Sequence, residues 1–284
     1  MPLPDFLCIG AQKSGTTWLD QMLRSHPDIR MPATDKELHF FDKNYDKGID
    51  WYARQFQAFG NYEAKRYRLG EVTPSYLYLD YVPERIYESL GASVKFIVVL
   101  RNPVDRMYSQ YKTAIVEQDY KHDFATFSKH ADHAFRRGLY SEQIQRYCNL
   151  FKREKFVFLI YEQLFQNMDE ELARLAAHLD VNARDFDTTL KSRRYGAFQE
   201  RPRFHRAYMA ARSLQKYLIK YEFHAPIYLA KRLGVHKGLF GKAAKFPPVP
   251  DALRAELMAF YADDIARTEA LTGLDLRSWW GDPA

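Results

Sequence analysis

Three groups of residues in this 284-residue sequence have the types and spacing for chemistry. The first is the stretch Gly10-Ala-Gln-Lys13-Ser14-Gly15-Thr16-Thr17-Trp18, which follows an apolar run that starts at Phe6. Its two glycines let backbone N–H groups approach an anion closely. Thr16 and Thr17 add hydroxyl donors at the positive end of the helix that follows. A triphosphate-binding loop would read G-x-x-x-x-G-K-[ST], but here Gly15 is followed by Thr16, and the lysine, Lys13, stands two positions before Gly15. A cation inside the loop suits a site that grips a phosphate and neutralises charge on a leaving oxygen, without a loop-held Mg²⁺. The second group is Glu37 and His39 in Glu37-Leu-His-Phe-Phe-Asp42. If the backbone there is extended, these two titratable side chains share a face. The third is Arg101, at the carboxyl end of the apolar run Lys95–Leu100, where ligands collect in open α/β sheets.

The elements that must position these groups are legible in outline. Phe6 to Gly10 reads as a strand, with a helix-compatible segment to about His26, where Pro27 ends it. The aromatic run Tyr45–Tyr67 reads as helical around Trp51, Tyr52, Phe56 and Phe59, a packing stripe. Arg68–Pro74 is a short strand ending in a turn, and Val82–Leu90 a short helix with proline in its first turn. Lys95–Arg101 is a continuous β-branched and apolar run, which predicts a central strand buried on both faces. Asn102-Pro103 then opens a helix carrying Val104, Met107, Tyr108, Tyr111 and Ile115. Further helices are expected at about 123–135, 140–153, 168–179, 205–221, 226–233 and 251–271, and another buried strand at Lys155–Ile160. The last helix repeats Leu253, Leu257, Phe260, Tyr261 and Ile265. Alternating strands and helices predict an α/β fold with a mostly parallel central sheet flanked by helices.

Composition bounds the rest. With 46% hydrophobic and 27% charged residues, the chain is an ordinary globular one, read as a single domain over 1–284. No stretch approaches the roughly 18 apolar residues of a membrane span, and the start shows no basic region followed by an apolar core. Cys8 and Cys148 are too few for a disulfide framework, so a reducing cytoplasm is the expected location. No zinc spacing is present, and no metal is expected. The formal charge of +6 is uneven: residues 191–245 hold 14 Lys and Arg against Glu200 and Glu222 alone. Such an excess favours anionic ligands. No recognised nucleic-acid module accompanies it, and no nucleic-acid partner is expected.

Taken in order, Gln12-Lys13-Ser-Gly-Thr-Thr17, Glu37-Leu-His-Phe-Phe41 and Leu100-Arg-Asn-Pro-Val-Asp-Arg106 followed by Ser109 resemble the sulfotransferases that use 3′-phosphoadenosine-5′-phosphosulfate (PAPS). Among these, the sequence looks most like the heparan-sulfate-type and related bacterial carbohydrate enzymes. The likeness continues through Thr73-Pro74 and Val82-Pro-Glu-Arg-Ile86, covers roughly residues 5–118, and returns at Gly241-Lys242. It implies a nucleotide-kinase-like (P-loop-like) fold in which Lys13, Ser14, Gly15, Thr16, Thr17 and Trp18 wrap the 5′-phosphosulfate. Arg101 and Ser109 would hold the 3′-phosphate, an arginine fork and a hydroxyl being suited to phosphate oxygens. Lys242 matches a basic residue of the family's late cofactor-covering loop.

The implied reaction moves a sulfuryl group from PAPS to a hydroxyl or amine of a small-molecule or glycan acceptor, releasing adenosine 3′,5′-bisphosphate. Glu37 falls where the heparan-sulfate-type enzymes keep their base, with His39 as the alternative, and Lys13 is the leaving-group stabiliser. Trp18, Tyr195 and Phe198 are all candidates to stack on adenine. One position departs from the pattern: Glu71-Val72-Thr73-Pro74 carries Val72 where the heparan-sulfate enzymes have a lysine before Thr-Pro. The competing readings are a nucleotide-dependent phosphotransferase and a non-enzymatic polyanion-binding protein using residues 191–245.

Overall fold

The computed structural model describes residues 2–32, 37–56, 67–192, 205–220 and 246–280. Five strands form one sheet: β1 (Phe6–Gly10), β2 (Ile29–Arg30), β3 (Arg68–Val72), β4 (Lys95–Leu100) and β5 (Phe156–Ile160), in the spatial order β2-β3-β1-β4-β5. Every pairing is parallel, with Cys8 opposite Val72 on one side and Ile97 on the other, and Phe96 opposite Phe156. All five residues of β1 and of β5 are buried, as continuous apolar runs covered on both faces must be. The middle strand is β1. The β4 run, expected as the central strand, lies one place away between β1 and β5. Chain order reverses direction across β1, so the switch point where α/β sheets bind ligands lies at its carboxyl end.

Helix α1 (Thr16–Ser25) turns Trp18, Leu19, Met22 and Leu23 inward at helical spacing. These pack with Phe6, Cys8, Val72, Ile97, Val99, Val157 and Leu159, and with Leu172, Leu175, Ala176 and Leu179 of a later helix, Met168–Leu179. Elsewhere in the sheet core, Phe96 meets Tyr147, Phe151 and Phe156 at ring-centroid distances of 5.5, 4.7 and 4.8 Å.

Most of the remaining helices fall where they were expected, but Phe40–Lys43 and Gln163–Gln166 are helices the sequence did not suggest, and the segment expected as one helix at 123–135 is two. In chain order they are α2 (Phe40–Lys43), α3 (Gly48–Arg54), α4 (Val82–Leu90), α5 (Pro103–Gln118), α6 (Phe124–His130), α7 (Asp132–Arg136), α8 (Tyr140–Cys148), α9 (Gln163–Gln166), α10 (Met168–Leu179), α11 (His205–Lys220) and α12 (Asp251–Thr272). Helix α12 buries Leu257, Met258, Tyr261, Asp264, Ile265 and Thr268, while Phe260, expected on that face, is 64% exposed. Asp264 reaches the start of α8, accepting from the amides of Tyr140 at 2.7 Å and Ser141 at 3.1 Å. That is a carboxylate on the positive end of a helix.

Two compact units divide the chain. One comprises Met1–Met107, His133–Gly196 and Ala255–Ala284 and holds the sheet. The other comprises Tyr108–Asp132 and Ala197–Arg254. Inside the second, Tyr108 and Tyr111 of α5 pack on Phe124 of α6 at 5.0 and 5.4 Å. The helix expected at 226–233 and the glycine-rich loop up to Lys245 lie outside the described residues. Among the described residues, no helix is long and apolar enough to cross a membrane.

Candidate active site

At the carboxyl end of β1 the chain leaves the sheet through Ala11, whose amide donates to the Val99 carbonyl at 2.8 Å. The loop then turns through Lys13 in a left-handed conformation (φ 70°) and Gly15 (φ 82°) before entering α1. Glycine is required at 15 for two reasons. The backbone lies in the region side chains avoid, and a β-carbon there would sit 2.7 Å from the ring of Tyr161. No acidic side chain occupies the first turn of α1, so nothing from that turn offsets its positive end.

Arg101, one residue past β4, is tied into this loop. Its Nη1 donates to the Lys13 carbonyl at 2.9 Å, and its guanidinium lies 4.3 Å from the centroid of the Tyr161 ring. Tyr161 is one residue past β5, where its amide donates to the Leu100 carbonyl at 2.8 Å. The tyrosine therefore lies against both Gly15 and Arg101, linking the loop to the end of β4. Arg101 Nε is a buried donor with no hydrogen-bond partner among the described residues, while buried Ser14 Oγ is near enough to the Tyr140 phenol to temper the rise in its pKa. A buried guanidinium N–H left unmet beside a glycine cradle is costly unless satisfied, and it fits a phosphate-bearing ligand.

The second half of the site is the turn at Glu37–Lys43. An extended backbone would put Glu37 and His39 on one face. The two side chains do meet, Glu37 Oε2 lying 3.2 Å from His39 Nε2, but the backbone is not a strand. Both residues are left-handed (φ 76° and 52°), and His39 is the residue before α2. Asp42, three residues on, places Oδ2 2.9 Å from His39 Nδ1, and Ser75 donates to the same Asp42 oxygen at 2.8 Å. A chain of contacts thus runs Glu37, His39, Asp42, Ser75.

Lys43 Nζ also comes within 3.2 Å of His39 Nε2. Burial pulls the His39 pKa down, but the hydrogen bonds to Asp42 and Glu37 outweigh it and raise the value to about 9. Asp42 is held below the usual carboxylate range, its burial outweighed by the His39 and Ser75 bonds and the His39 charge. At neutral pH His39 is therefore an imidazolium between carboxylates, already carrying a proton and unable to accept another.

Backbone pairing puts the two halves at the carboxyl ends of the strands. Thr73 N bonds Cys8 O at 3.0 Å and Leu77 N bonds Ile9 O at 2.8 Å, so Ser75 sits beside the end of β1 and brings Asp42 with it. A cavity of about 410 Å³ opens at the amino ends of the strands, lined by Pro4, Phe6, Arg68, Leu90, Lys95 and Asp180, away from these groups.

The other expected site residues are placed as follows. Trp18 is 1% exposed, its Nε1 donating to the Leu190 carbonyl at 3.3 Å and its ring 5.3 Å from Phe165, so what it offers the loop is backbone. Ser109 lies on α5 in the second unit, where its carbonyl accepts from Thr113. Lys242, Tyr195 and Phe198 lie outside the described residues. Val72 is buried in the apolar core layer, leaving no place there for the lysine it replaces. Three residues of the site were not singled out from sequence: Tyr161, Asp42 and Ser75. Asp42 had a signal, the i to i+3 spacing from His39. Tyr161 had one too, following the β5 run as Arg101 follows β4.

A parallel sheet, an anion loop at its switch point and a carboxylate–imidazolium chain beside it define a class: P-loop-like group-transfer proteins without the triphosphate lysine. Residues 3–220 match the sulfotransferase domain family, and the chain belongs to it. It is 40% identical over 113 residues to the membrane-associated sulfotransferase kil1 of Dictyostelium discoideum, covering 40% of this chain and 23% of that protein. It is 29% identical over 286 residues to human heparan sulfate glucosamine 3-O-sulfotransferase 6, covering 98% of this chain and 74% of that one. The chain spans about half or less of the length of the first curated relatives it matches. A crystal structure of a sulfotransferase from Alicyclobacillus acidocaldarius is similar over 99% of this chain and 100% of that one, with a TM-score of 0.69 and 25% identity. The fold is the P-loop-like sulfotransferase fold.

Proposed function

We propose that the protein moves a sulfuryl group from PAPS to a hydroxyl or amine of an acceptor, a carbohydrate or another polar metabolite. The observation that carries this reading is the bond from Arg101 to the Lys13 carbonyl, which ties an arginine from the end of β4 into the glycine loop at the end of β1, with a buried Arg101 donor left for a phosphate oxygen. Lys13, Ser14, Gly15, Thr16 and Thr17 would hold the 5′-phosphosulfate, and Arg101 the 3′-phosphate.

PAPS supplies the activated sulfuryl group. As the acceptor oxygen or nitrogen bonds to sulfur and the sulfur–oxygen bond to the departing bisphosphate breaks, Glu37 takes the acceptor's proton. His39, held charged by Asp42, keeps Glu37 oriented. Lys13 stabilises negative charge on the departing oxygen. The heparan sulfate relative supports a glycan acceptor, although Val72 removes one cation of that family's pattern.

The test is an acceptor screen with radiolabelled PAPS, using glycosaminoglycans, neutral oligosaccharides and small alcohols. Label should move to an acceptor with the wild-type protein and not with Lys13→Ala. Label moving from γ-labelled ATP, with none moving from PAPS across the panel, would instead establish a phosphotransferase.

A further inference from the structure

Beneath the turn that carries Glu37 and His39 lies a buried carboxylate that the proposed chemistry does not use. Glu71, the penultimate residue of β3, is 1% exposed. Its Oε1 accepts from the phenols of Tyr52 at 2.7 Å and Tyr76 at 3.1 Å, and its Oε2 accepts from Thr73 Oγ1 at 3.0 Å. The Tyr76 oxygen has a second task, accepting from the backbone amide of Phe41 at 3.2 Å.

That amide is in the first turn of α2, where no intrahelical partner exists, and it is buried. Without an acceptor it would carry the full cost of an unmade hydrogen bond. The two rings next to His39 are held by the same pair of tyrosines. Phe40 stacks on Tyr52 at 4.3 Å with planes 8° apart, and Phe41 meets Tyr76 edge-on at 5.5 Å. Glu37 and His39 both sit in left-handed backbone, a state that residues with side chains keep only where the surroundings over-determine it.

We propose that Glu71 and Tyr76 are a positioning pair for the Glu37–His39 turn: the buried carboxylate fixes the Tyr76 phenol, and the phenol oxygen fixes the Phe41 amide. The inference rests on Glu37 and His39 being the working groups of the site, but its test uses neither PAPS nor acceptor. The charged groups that act on His39 are Glu37, Asp42 and Lys43; the His39 charge in turn pulls the Glu71 pKa down, against the burial that raises it to about 7. Loosening the turn lengthens the first two contacts, which are the ones that keep the imidazole charged.

Tyr76→Phe and Tyr52→Phe each remove one hydrogen bond to Glu71 Oε1, and only the first cuts the link to Phe41. Two quantities are read on each variant and on the wild type. One is exchange of the Phe41 amide with solvent, and the other is the titration of the His39 ring by NMR, assigned with His39→Asn. In Tyr76→Phe the Phe41 amide should exchange about tenfold faster or more, and the His39 pKa should fall by about one unit. Tyr52→Phe should leave both near wild type. Glu71→Gln is the second variant. Its amide oxygen still accepts both phenols, so protection at Phe41 should survive, whereas Glu71→Ala removes the acceptor and should speed exchange as Tyr76→Phe does; this contrast stands if Tyr76→Phe does not fold.

Equal changes in the two tyrosine variants, no change in either, or loss of Phe41 protection in Glu71→Gln would overturn the proposal. Failure of sulfuryl transfer alongside the expected titration shift would strike the proposed reaction only. Active wild-type enzyme with an unmoved His39 in Tyr76→Phe would strike the positioning pair only.

Discussion

The two halves of the site are built on opposite principles. Loop 11–15 is local: small residues, left-handed backbone at Lys13 and Gly15, and a few main-chain bonds to the neighbouring strand. Its recognition groups are contiguous in sequence, and Arg101 and Tyr161 reach it from the ends of the next two strands. The Glu37–Lys43 turn is tertiary. Its conformation depends on Ser75 from the segment after β3, on Tyr52 from α3, on Tyr76, and on Arg85 of α4, which donates to the Phe41 carbonyl at 2.8 Å. A group that needs only to cradle an anion can be written in a few adjacent residues. A base whose protonation state must be held needs partners gathered from several elements.

If this division is right, changes in one half should leave the other's observable alone. The largest effect belongs to Glu37, the proposed base. Glu37→Gln keeps shape and most hydrogen bonding but cannot accept a proton, so turnover should fall by about 10² to 10⁴ while affinity for adenosine 3′,5′-bisphosphate is unchanged. His39→Asn should cost less, because the imidazolium supports the base and does not act as one. The reverse ranking in steady-state assays would move the base to His39 and break the comparison.

On the other side, Arg101→Ala should weaken the bisphosphate by about 10- to 100-fold, the worth of a charge-assisted pair at roughly 1.5–3 kcal/mol. Binding of 5′-AMP should barely change. Equal losses for both nucleotides, measured by thermal shift, would mean that Arg101 only braces the loop through the Lys13 carbonyl.

Asp42→Asn should bring the His39 titration from about 9 back toward its ordinary 6.5, since the strongest opposing hydrogen bond is gone. The linked stability has a defined window. A histidine raised on folding contributes stability that is complete below about 6.5 and is lost as pH rises through about 9. A carboxylate lowered on folding contributes above about 3.8 and loses it as pH falls. Wild type should therefore exceed Asp42→Asn in denaturant midpoint most clearly between about pH 4 and 6.5, and the gap should close above 9. A gap independent of pH would assign Asp42 a packing role. The smallest expected change is in Lys43→Met, which removes a nearby positive charge and should raise the His39 pKa by a few tenths of a unit, the size of an exposed charge effect.

How much of this was legible in the sequence follows the same division. β4 and β5 were readable because strands buried on both faces are continuous apolar runs, and α1 and α10 because their apolar residues recur at helical spacing. β2 was not, as two residues, Ile29 and Arg30, carry no period. The loop was readable because Gly15 and Lys13 are themselves the signal. The base turn was half readable: Glu37 and His39 were picked out, but left-handed backbone at residues with side chains has no local signature. The shared face therefore depended on an extended backbone, where the chain makes a turn. Glu71 and Tyr76 were invisible as partners, since nothing in a linear string brings Phe41 beside a phenol 35 positions away.

The central claim is that the cradle reads a 3′-phosphate as well as a 5′-phosphate, and titration calorimetry of adenosine 3′,5′-bisphosphate against 5′-AMP tests it most directly. The bisphosphate should bind at least about tenfold more tightly than 5′-AMP, corresponding to roughly 1.4 kcal/mol or more, and Arg101→Ala should abolish the difference. Equal affinities in the wild-type protein, or a preference for ATP with Mg²⁺ over the bisphosphate, would contradict it.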